Sequence, residues 1–190
     1  FSFVIFDKRD ESYFVARDRL GIKPLYVYAN RNGVIISSEV APILSLIDTV
    51  ELDEIGLRQY RKLRSFFNDR TLYKNISMFP AAHFFNSNKY FYRNKCKRYW
   101  EINFSCDIKI DDEEVKSLLI SSINYRNLSD VSVGTYLSGG IDSTIITSLA
   151  SQKDSWTVGF HDNNEYKYAR MAAEYSKTMH HEINVDYNQF

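Results

Sequence analysis

The sequence predicts an α+β portion built on antiparallel sheet, followed by an α/β portion built on parallel sheet. Three observations carry this expectation. Over residues 1–100, short alternating apolar runs are separated by clusters of turn-forming residues. Over residues 112–190 the pattern changes to helix, strand, helix, strand, helix, strand, which implies parallel strands joined by right-handed crossovers. At the first strand–helix junction of that stretch stands Ser138-Gly139-Gly140-Ile141-Asp142-Ser143. The expected organisation is a domain over 1–100, a linker over 101–111 and a second domain over 112–190.

The elements follow in order. Phe1, Phe3 and Ile5 alternate onto one face of a strand, Asp7–Glu11 is a polar turn, and Ser12–Ala16 returns as the partner strand. Gly21 and Pro24 break the next stretch. Leu25–Tyr28 and Val34–Ile36 flank Asn30-Arg31-Asn32-Gly33, a hairpin signal because Asn and Gly accept positive φ. A helix is expected after Asp53, with Ile55, Leu57, Tyr60 and Leu63 on its apolar side. Ala82–Phe85 and Tyr90–Tyr92 flank a turn at Asn86-Ser87-Asn88.

In the second stretch Asp111 is placed to cap a helix whose apolar positions are Val115, Leu118, Leu119 and Ile123. Val131–Leu137 reads as a buried strand, and Ile145, Ile146 and Leu149 begin a second helix. Trp156–Phe160 reads as another strand. Tyr168, Met171, Ala172 and Tyr175 mark a third helix, and Ile183 and Val185 a last strand. There is no internal repeat and no low-complexity tract.

Composition narrows the function classes. Of 190 residues, 24 are basic and 24 acidic, so no basic excess is available to neutralise phosphate backbones, and a dedicated nucleic-acid binder is not expected. A hydrophobic fraction of 44% supports a packed core. No apolar run reaches the length of a membrane span and no signal-like stretch opens the chain. Cys96 and Cys106 read as reduced thiols of a cytoplasmic protein, with a disulfide as the alternative. The chain opens with Phe1 inside an apolar strand and closes at Gln189-Phe190 without a terminating signal, so a piece of a longer protein is expected.

The Ser138–Ser143 stretch carries the chemistry. A helix N-terminus presents free N–H groups and about half a unit of positive charge. Two glycines let successive amides curl towards one concavity, and Ser138 and Ser143 add hydroxyl donors. Asp142 beside a phosphate is explained by a cation between them, Mg2+ being the natural choice. The lysine of a Walker A loop is absent. The competing reading is a plain helix cap after a tight turn; a strand running straight into this sequence favours phosphate binding.

The same loop resembles the pyrophosphate loop of the N-type ATP pyrophosphatases. The approach Asp130-Val131-Ser132-Val133-Gly134-Thr135-Tyr136-Leu137 is similar to the asparagine synthetase version. Trp156–Phe160, Tyr168-Ala169-Arg170 and Thr178–Glu182 resemble that family's following strand, helix and strand. Upstream, Ala16–Tyr26 resembles a signature of the class II glutamine amidotransferase domain of the same enzymes, as do Ser37-Ser38-Glu39 and Tyr99-Trp100-Glu101. The resemblance spans nearly the whole chain. Departures are Ser132 in place of the usual Pro, Ala82 in place of Gly, and no Gly within Ser176–Thr178.

The resemblance implies an Ntn-type glutaminase portion followed by a Rossmann-like ATP pyrophosphatase portion. It implies an asparagine synthetase that hydrolyses glutamine with an N-terminal Cys, adenylates aspartate with ATP and Mg2+, and displaces AMP with ammonia. It places ATP on Leu137, Ser138, Gly139, Gly140, Asp142, Ser143 and Val158, with Asp142 towards the metal. Leu137 and Val158 both have ordinary strand core as their competing reading, Val158 particularly. The family's N-terminal Cys and its second Ser-Gly-x-Gly loop have no counterpart among these residues, so no catalytic residue is assigned and this segment alone is expected not to turn over. Partners are ATP, aspartate and glutamine, with no nucleic acid and no membrane; a homodimer is compatible. Two alternatives stand: a sibling amidotransferase acting on a sugar, peptide or β-lactam-type acceptor, and a truncated, non-catalytic nucleotide-binding module.

Other polar residues read as structural. Arg17, Asp18 and Lys23 form a charged loop ordered by Gly21 and Pro24. His180 and His181 are adjacent on a strand and so point to opposite faces, which disfavours a shared metal. His83 and His161 lie at no useful spacing, and the many Tyr and Phe read as core and hairpin surface.

Overall fold

The computed structural model describes residues 1–31, 33–87, 91–104, 109, 111–160 and 165–186, with only the backbone of Arg93. It divides into two compact units, Phe1–Phe104 and Ser105–Phe190.

The first unit holds two antiparallel sheets. Strands β1 (Ser2–Asp7) and β2 (Ser12–Arg17) pair from Ser2↔Arg17 to Asp7↔Ser12. Asp7 closes their turn by accepting from the Arg9 amide and guanidinium, and Glu11 takes the left-handed conformation. Strands β3 (Tyr26–Asn30) and β4 (Gly33–Ser37) form the expected hairpin, in which the Asn30 side chain accepts from the Gly33 amide at 3.1 Å. Gly33 itself is extended, and Asn32 lies outside the described residues. Helix α1 (Val40–Leu44) buries Ile43, and α2 (Glu54–Leu63) follows. Strand β5 (Ile76–Met78) joins the sheet β4-β3-β5, and β6 (His83–Ser87) with β7 (Lys97–Arg98) completes β1-β2-β6-β7.

Both sheets contribute to one core: Tyr13 and Val15 from β2, Phe85 from β6, Val27 from β3, and Leu25 and Phe79 from the connections. Each fully buried aliphatic or phenyl side chain contributes about 1.5–3 kcal/mol. Cys96 is half-buried against this core; Cys106 lies outside the described residues.

Three expectations for this unit are corrected. Asn86 and Ser87 lie in β6, paired with Phe14 and Tyr13, rather than in a turn, and Ala82 precedes the strand in a left-handed conformation; Asn88 lies outside the described residues. Phe91 and Tyr92 are not in a strand; β7 takes that place in the sheet, and Tyr90 lies outside the described residues. Helix α2 forms where expected, with Asp53 accepting from the Gly56 amide at 2.6 Å, but Ile55, Tyr60 and Leu63 are exposed. Its buried contact is Gly56, where an added Cβ would fall 2.1 Å from the Thr71 carbonyl oxygen. The helix is held by close backbone approach and by its cap, which Arg70 also engages at 2.7 Å.

The Arg17–Asp18 corner is structural, as expected. Arg17 is buried and donates to three backbone carbonyls, those of Lys23, Phe79 and Gly21, at 2.6–2.8 Å. Asp18 accepts from the amides of Leu20, Ile22 and Lys23 at 2.9–3.1 Å. Burial opposes its ionisation, but the Lys23 and Ile22 amides hold its carboxyl well below the usual range.

The second unit opens with α3 (Asp112–Arg126), capped by Asp111, whose side chain accepts from the Glu113 amide at 3.1 Å. Asp112, Glu113 and Glu114 crowd its first turn, where negative charge complements the helix dipole. Strand β8 (Thr135–Tyr136), α4 (Ile141–Ala150), β9 (Asp154–Phe160), α5 (Tyr166–Ser176) and β10 (Met179–Val185) follow. The three strands form a parallel sheet in the order β10-β9-β8, with Thr135↔Ser155 and Met179↔Asp154 in register.

Three expectations are corrected here. The strand before the loop is two residues long rather than Val131–Leu137, and Val131 is exposed. On α3 only Ile123 is buried, while Val115, Leu118 and Leu119 are exposed. On α5 the buried residues are Ala169, Ala172 and Ala173, whereas Tyr168, Met171 and Tyr175 face outward. The alanines form the core with Leu137. Small residues let the α5 backbone approach the loop after β8, a contact that Tyr or Met would hold apart.

Candidate functional site

The loop after β8 is built from both sides. Leu137 donates its amide to the Trp156 carbonyl at 2.8 Å, while its own carbonyl accepts the Thr157 hydroxyl. Its side chain, 1% exposed, sits among the α5 alanines. The backbone then leaves the sheet. Gly139 takes a φ of +81°, and an added Cβ there would fall 2.5 Å from the Tyr168 carbonyl carbon and 2.6 Å from the Ala169 nitrogen. This position is closed to other residues by conformation and by packing.

Gly140 is different. Its φ of −71° suits any residue, and the nearest atom to an added Cβ is the Ser138 hydroxyl at 3.5 Å. Neither the backbone nor the packing of this chain requires a glycine there. As the N-cap of α4 it supplies no side-chain acceptor to the first-turn amides. The Ser138 and Ser143 hydroxyls lie 3.0 Å apart, and Ser143 also donates to the Gly140 carbonyl at 3.1 Å. Asp142 is exposed in the first helical turn.

Beside the loop, at the carboxyl ends of β8 and β9, lies a cleft of about 480 Å3. Tyr136, Ser138, Trp156, Val158, Phe160 and Glu165 are among its walls, and Leu137 also lines it. Along β9, Ser155, Thr157 and Gly159 are buried, while Val158, at 51% exposure, opens into the cleft. The structure thus places Leu137, Ser138 and Val158 around one cleft, with Gly139, Gly140, Asp142 and Ser143 continuing from Ser138 into α4. This end of an open parallel sheet is where ligands of doubly wound folds bind. Amides at a helix start, two hydroxyls and an exposed carboxylate can together receive a phosphate chain and its cation.

His180 and His181 turn to different partners. His180 meets Ser155 Oγ at 2.9 Å, while the His181 ring stacks on Trp156 and its Nε2 meets Asp154 at 2.8 Å. No group of three or more His, Cys, Asp or Glu able to hold a metal ion occurs among the described residues. His161 lies outside them, and His83 meets the Ala81 carbonyl at 2.7 Å. Among the described residues no helix is long and apolar enough to cross a membrane. Sequence reasoning missed Ser155, Thr157 and His180 as supports of the loop. Their signal was Ser and Thr on the buried face of a parallel strand, where Val and Ile are the rule.

Comparison with known proteins places these features. Residues 1–100 match the model of the glutamine amidotransferase domain, and residues 114–190 that of asparagine synthase. The chain is 33% identical over 195 residues to the putative glutamine-hydrolysing asparagine synthetase 2 of Methanocaldococcus jannaschii, covering 95% of this chain and 38% of the relative. It is 32% identical over 171 residues to glutamine-hydrolysing asparagine synthetase 1 of Bacillus subtilis, covering 84% and 26%. A probable glutamine-hydrolysing asparagine synthetase of Dictyostelium discoideum is 27% identical over 208 residues, covering 97% and 33%. The chain therefore spans between about a quarter and two-fifths of the length of these relatives.

Proposed function

This chain belongs to the glutamine-hydrolysing asparagine synthetase family, and from that premise we propose that its second unit binds ATP. The phosphate tail lies on the Ser138–Ser143 loop. The carrying observation is Gly140: a glycine that neither φ nor packing demands, at an uncapped helix start, leaves room for a ligand to approach the backbone.

The roles follow from the geometry. The first-turn amides of α4 donate to phosphate oxygens, and the Ser138 and Ser143 hydroxyls join them by rotating away from each other and from the Gly140 carbonyl. Asp142 supplies a carboxylate to Mg2+, whose charge offsets that of the leaving pyrophosphate. Val158 and Trp156 border the space for the adenosine, and Leu137 sets where the loop begins.

For the whole protein we propose the conversion of aspartate, glutamine and ATP to asparagine, glutamate, AMP and pyrophosphate. Glutamine hydrolysis releases ammonia. An oxygen of the aspartate side-chain carboxylate attacks the α-phosphorus and pyrophosphate departs. Ammonia adds to the resulting acyl carbon, AMP leaves with the C–O electron pair, and a proton is lost from nitrogen. Adenylation is required because oxide is a poor leaving group and AMP a better one. Cys96, half-buried against the aromatic core, is not proposed as the glutaminase nucleophile.

Aspartate-dependent exchange of labelled pyrophosphate into ATP by the full-length protein tests this reading. Exchange that depends on aspartate is expected. Exchange supported by a sugar, peptide or β-amino-acid acceptor instead would reassign the acceptor and keep the ATP site. ATP binding without exchange for any acceptor would leave the non-catalytic nucleotide-binding module, and no ATP binding would overturn the reading.

A further inference from the structure

A line of three hydroxyls, two of them buried, and one imidazole leads to the Leu137 carbonyl at the start of the loop. Thr178 Oγ1 lies 2.8 Å from Ser155 Oγ, which lies 2.9 Å from His180 Nδ1. On the other side of the ring, His180 Nε2 lies 3.3 Å from Thr157 Oγ1, and the Thr157 hydroxyl reaches the Leu137 carbonyl. Ser155 and Thr157 are buried on β9, and the His180 side chain is 11% exposed.

The direction of every bond in this line follows from its end. A carbonyl only accepts, so the single Thr157 proton is committed to Leu137. The Thr157 oxygen must then accept on its other side, and His180 Nε2 must carry a proton. In a neutral ring Nδ1 is then bare and accepts from Ser155, whose oxygen in turn accepts from Thr178. Burial favours the neutral ring and holds the His180 pKa below its ordinary value, although Glu182, 3.9 Å from Nε2, pulls the other way. Glu182 is itself engaged by Arg170 in two bonds of 2.6 Å.

We propose that Thr157, oriented by His180 in its Nε2–H form, is a positioning residue that fixes the Leu137 carbonyl and with it the start of the Ser138–Ser143 loop. The inference rests on the ATP-binding reading for its functional meaning. Its physical content stands on the hydrogen bonds alone. With the Leu137 amide held by Trp156 and its carbonyl by Thr157, β9 fixes the last peptide groups before the chain turns at Gly139.

Nitrogen-15 NMR of the histidine-labelled chain at neutral pH reads the tautomer directly. A protonated Nε2 and a bare Nδ1 on His180 are expected; a protonated Nδ1 would overturn the proposal. Thr157→Val should displace the amide resonances of Ser138 and Gly139, and Thr157→Ser should restore them. Unmoved amides in Thr157→Val, or no restoration in Thr157→Ser, would also overturn it. Should Thr157→Val not fold, the tautomer and the Thr157→Ser spectrum still decide. The dissociation constant for Mg·ATP should rise about two- to tenfold in Thr157→Val and stay unchanged in Thr157→Ser, matching the loss of one net hydrogen bond. An unmodified chain that did not bind Mg·ATP would remove the nucleotide reading, while the tautomer and amide results would still judge the anchoring.

Discussion

The Arg17–Asp18 corner and the Ser138–Ser143 loop are both polar, and each contains a glycine at positive φ. Only one of them is closed. At the corner, three guanidinium donors meet three carbonyls, and the Asp18 carboxylate collects three backbone amides. In the loop the hydroxyls touch each other, the Gly140 carbonyl and, at 3.4 Å, the Gly140 amide; Asp142 is exposed, and the α4 N-cap brings no side chain. Charge and glycine alone therefore do not mark a ligand site. Polar groups whose partners are all internal organise the chain, and donors gathered with room beside them can receive something else.

The sharpest break in this comparison should come at the corner. Asp18→Ala strands three backbone amides, and urea unfolding should show a loss of about 3–5 kcal/mol. Next is Gly139→Ala, which combines a left-handed backbone with a collision against Tyr168 and Ala169. A loss of about 2–4 kcal/mol is expected by the same measurement.

Acid should reveal the corner in another way. The Asp18 carboxyl is held well below its ordinary pKa, so its contribution is complete above pH ~4 and declines as pH falls below that, towards the folded value. The difference in unfolding free energy between the unmodified chain and Asp18→Asn should shrink on acidification; a constant difference would show that the carboxylate charge is not what matters. Smallest in stability are Gly140→Ala and Asp142→Asn, each within ~0.5 kcal/mol in the absence of ligand. Their effect is expected in binding: Gly140→Ala should weaken ATP, and Asp142→Asn should remove the gain that Mg2+ gives.

Much of the fold was legible before the structure. The Ser2–Arg17 hairpin, the Tyr26–Ser37 hairpin, the helix after Asp53 and the Asp111 cap follow from alternation, turn and capping chemistry. So does the parallel sheet of β8, β9 and β10. What misled was bulk. On α5, Tyr168, Met171, Ala172 and Tyr175 have helical spacing, but so do Ala169, Ala172, Ala173 and Ser176, one residue further round. Periodicity cannot choose between adjacent stripes. The choice fell to the one small enough to let α5 close on Gly139, a contact visible only in three dimensions. The loop was legible for a related reason: Ser-Gly-Gly-x-Asp-Ser between strand and helix is local in sequence. Its support from Thr157 and His180 is not, because it joins residues about twenty apart or more along the chain.

If the loop after Leu137 holds the phosphates of ATP through its backbone, its amides must report the ligand. The most direct measurement is an amide NMR titration of the chain with Mg·ATP, run beside Mg·pyrophosphate and AMP. Mg·ATP and Mg·pyrophosphate should move the Gly139, Gly140 and Ser143 resonances, and AMP should leave them in place. Resonances that stay still with Mg·ATP, or that move equally with AMP, would contradict backbone binding of the phosphates.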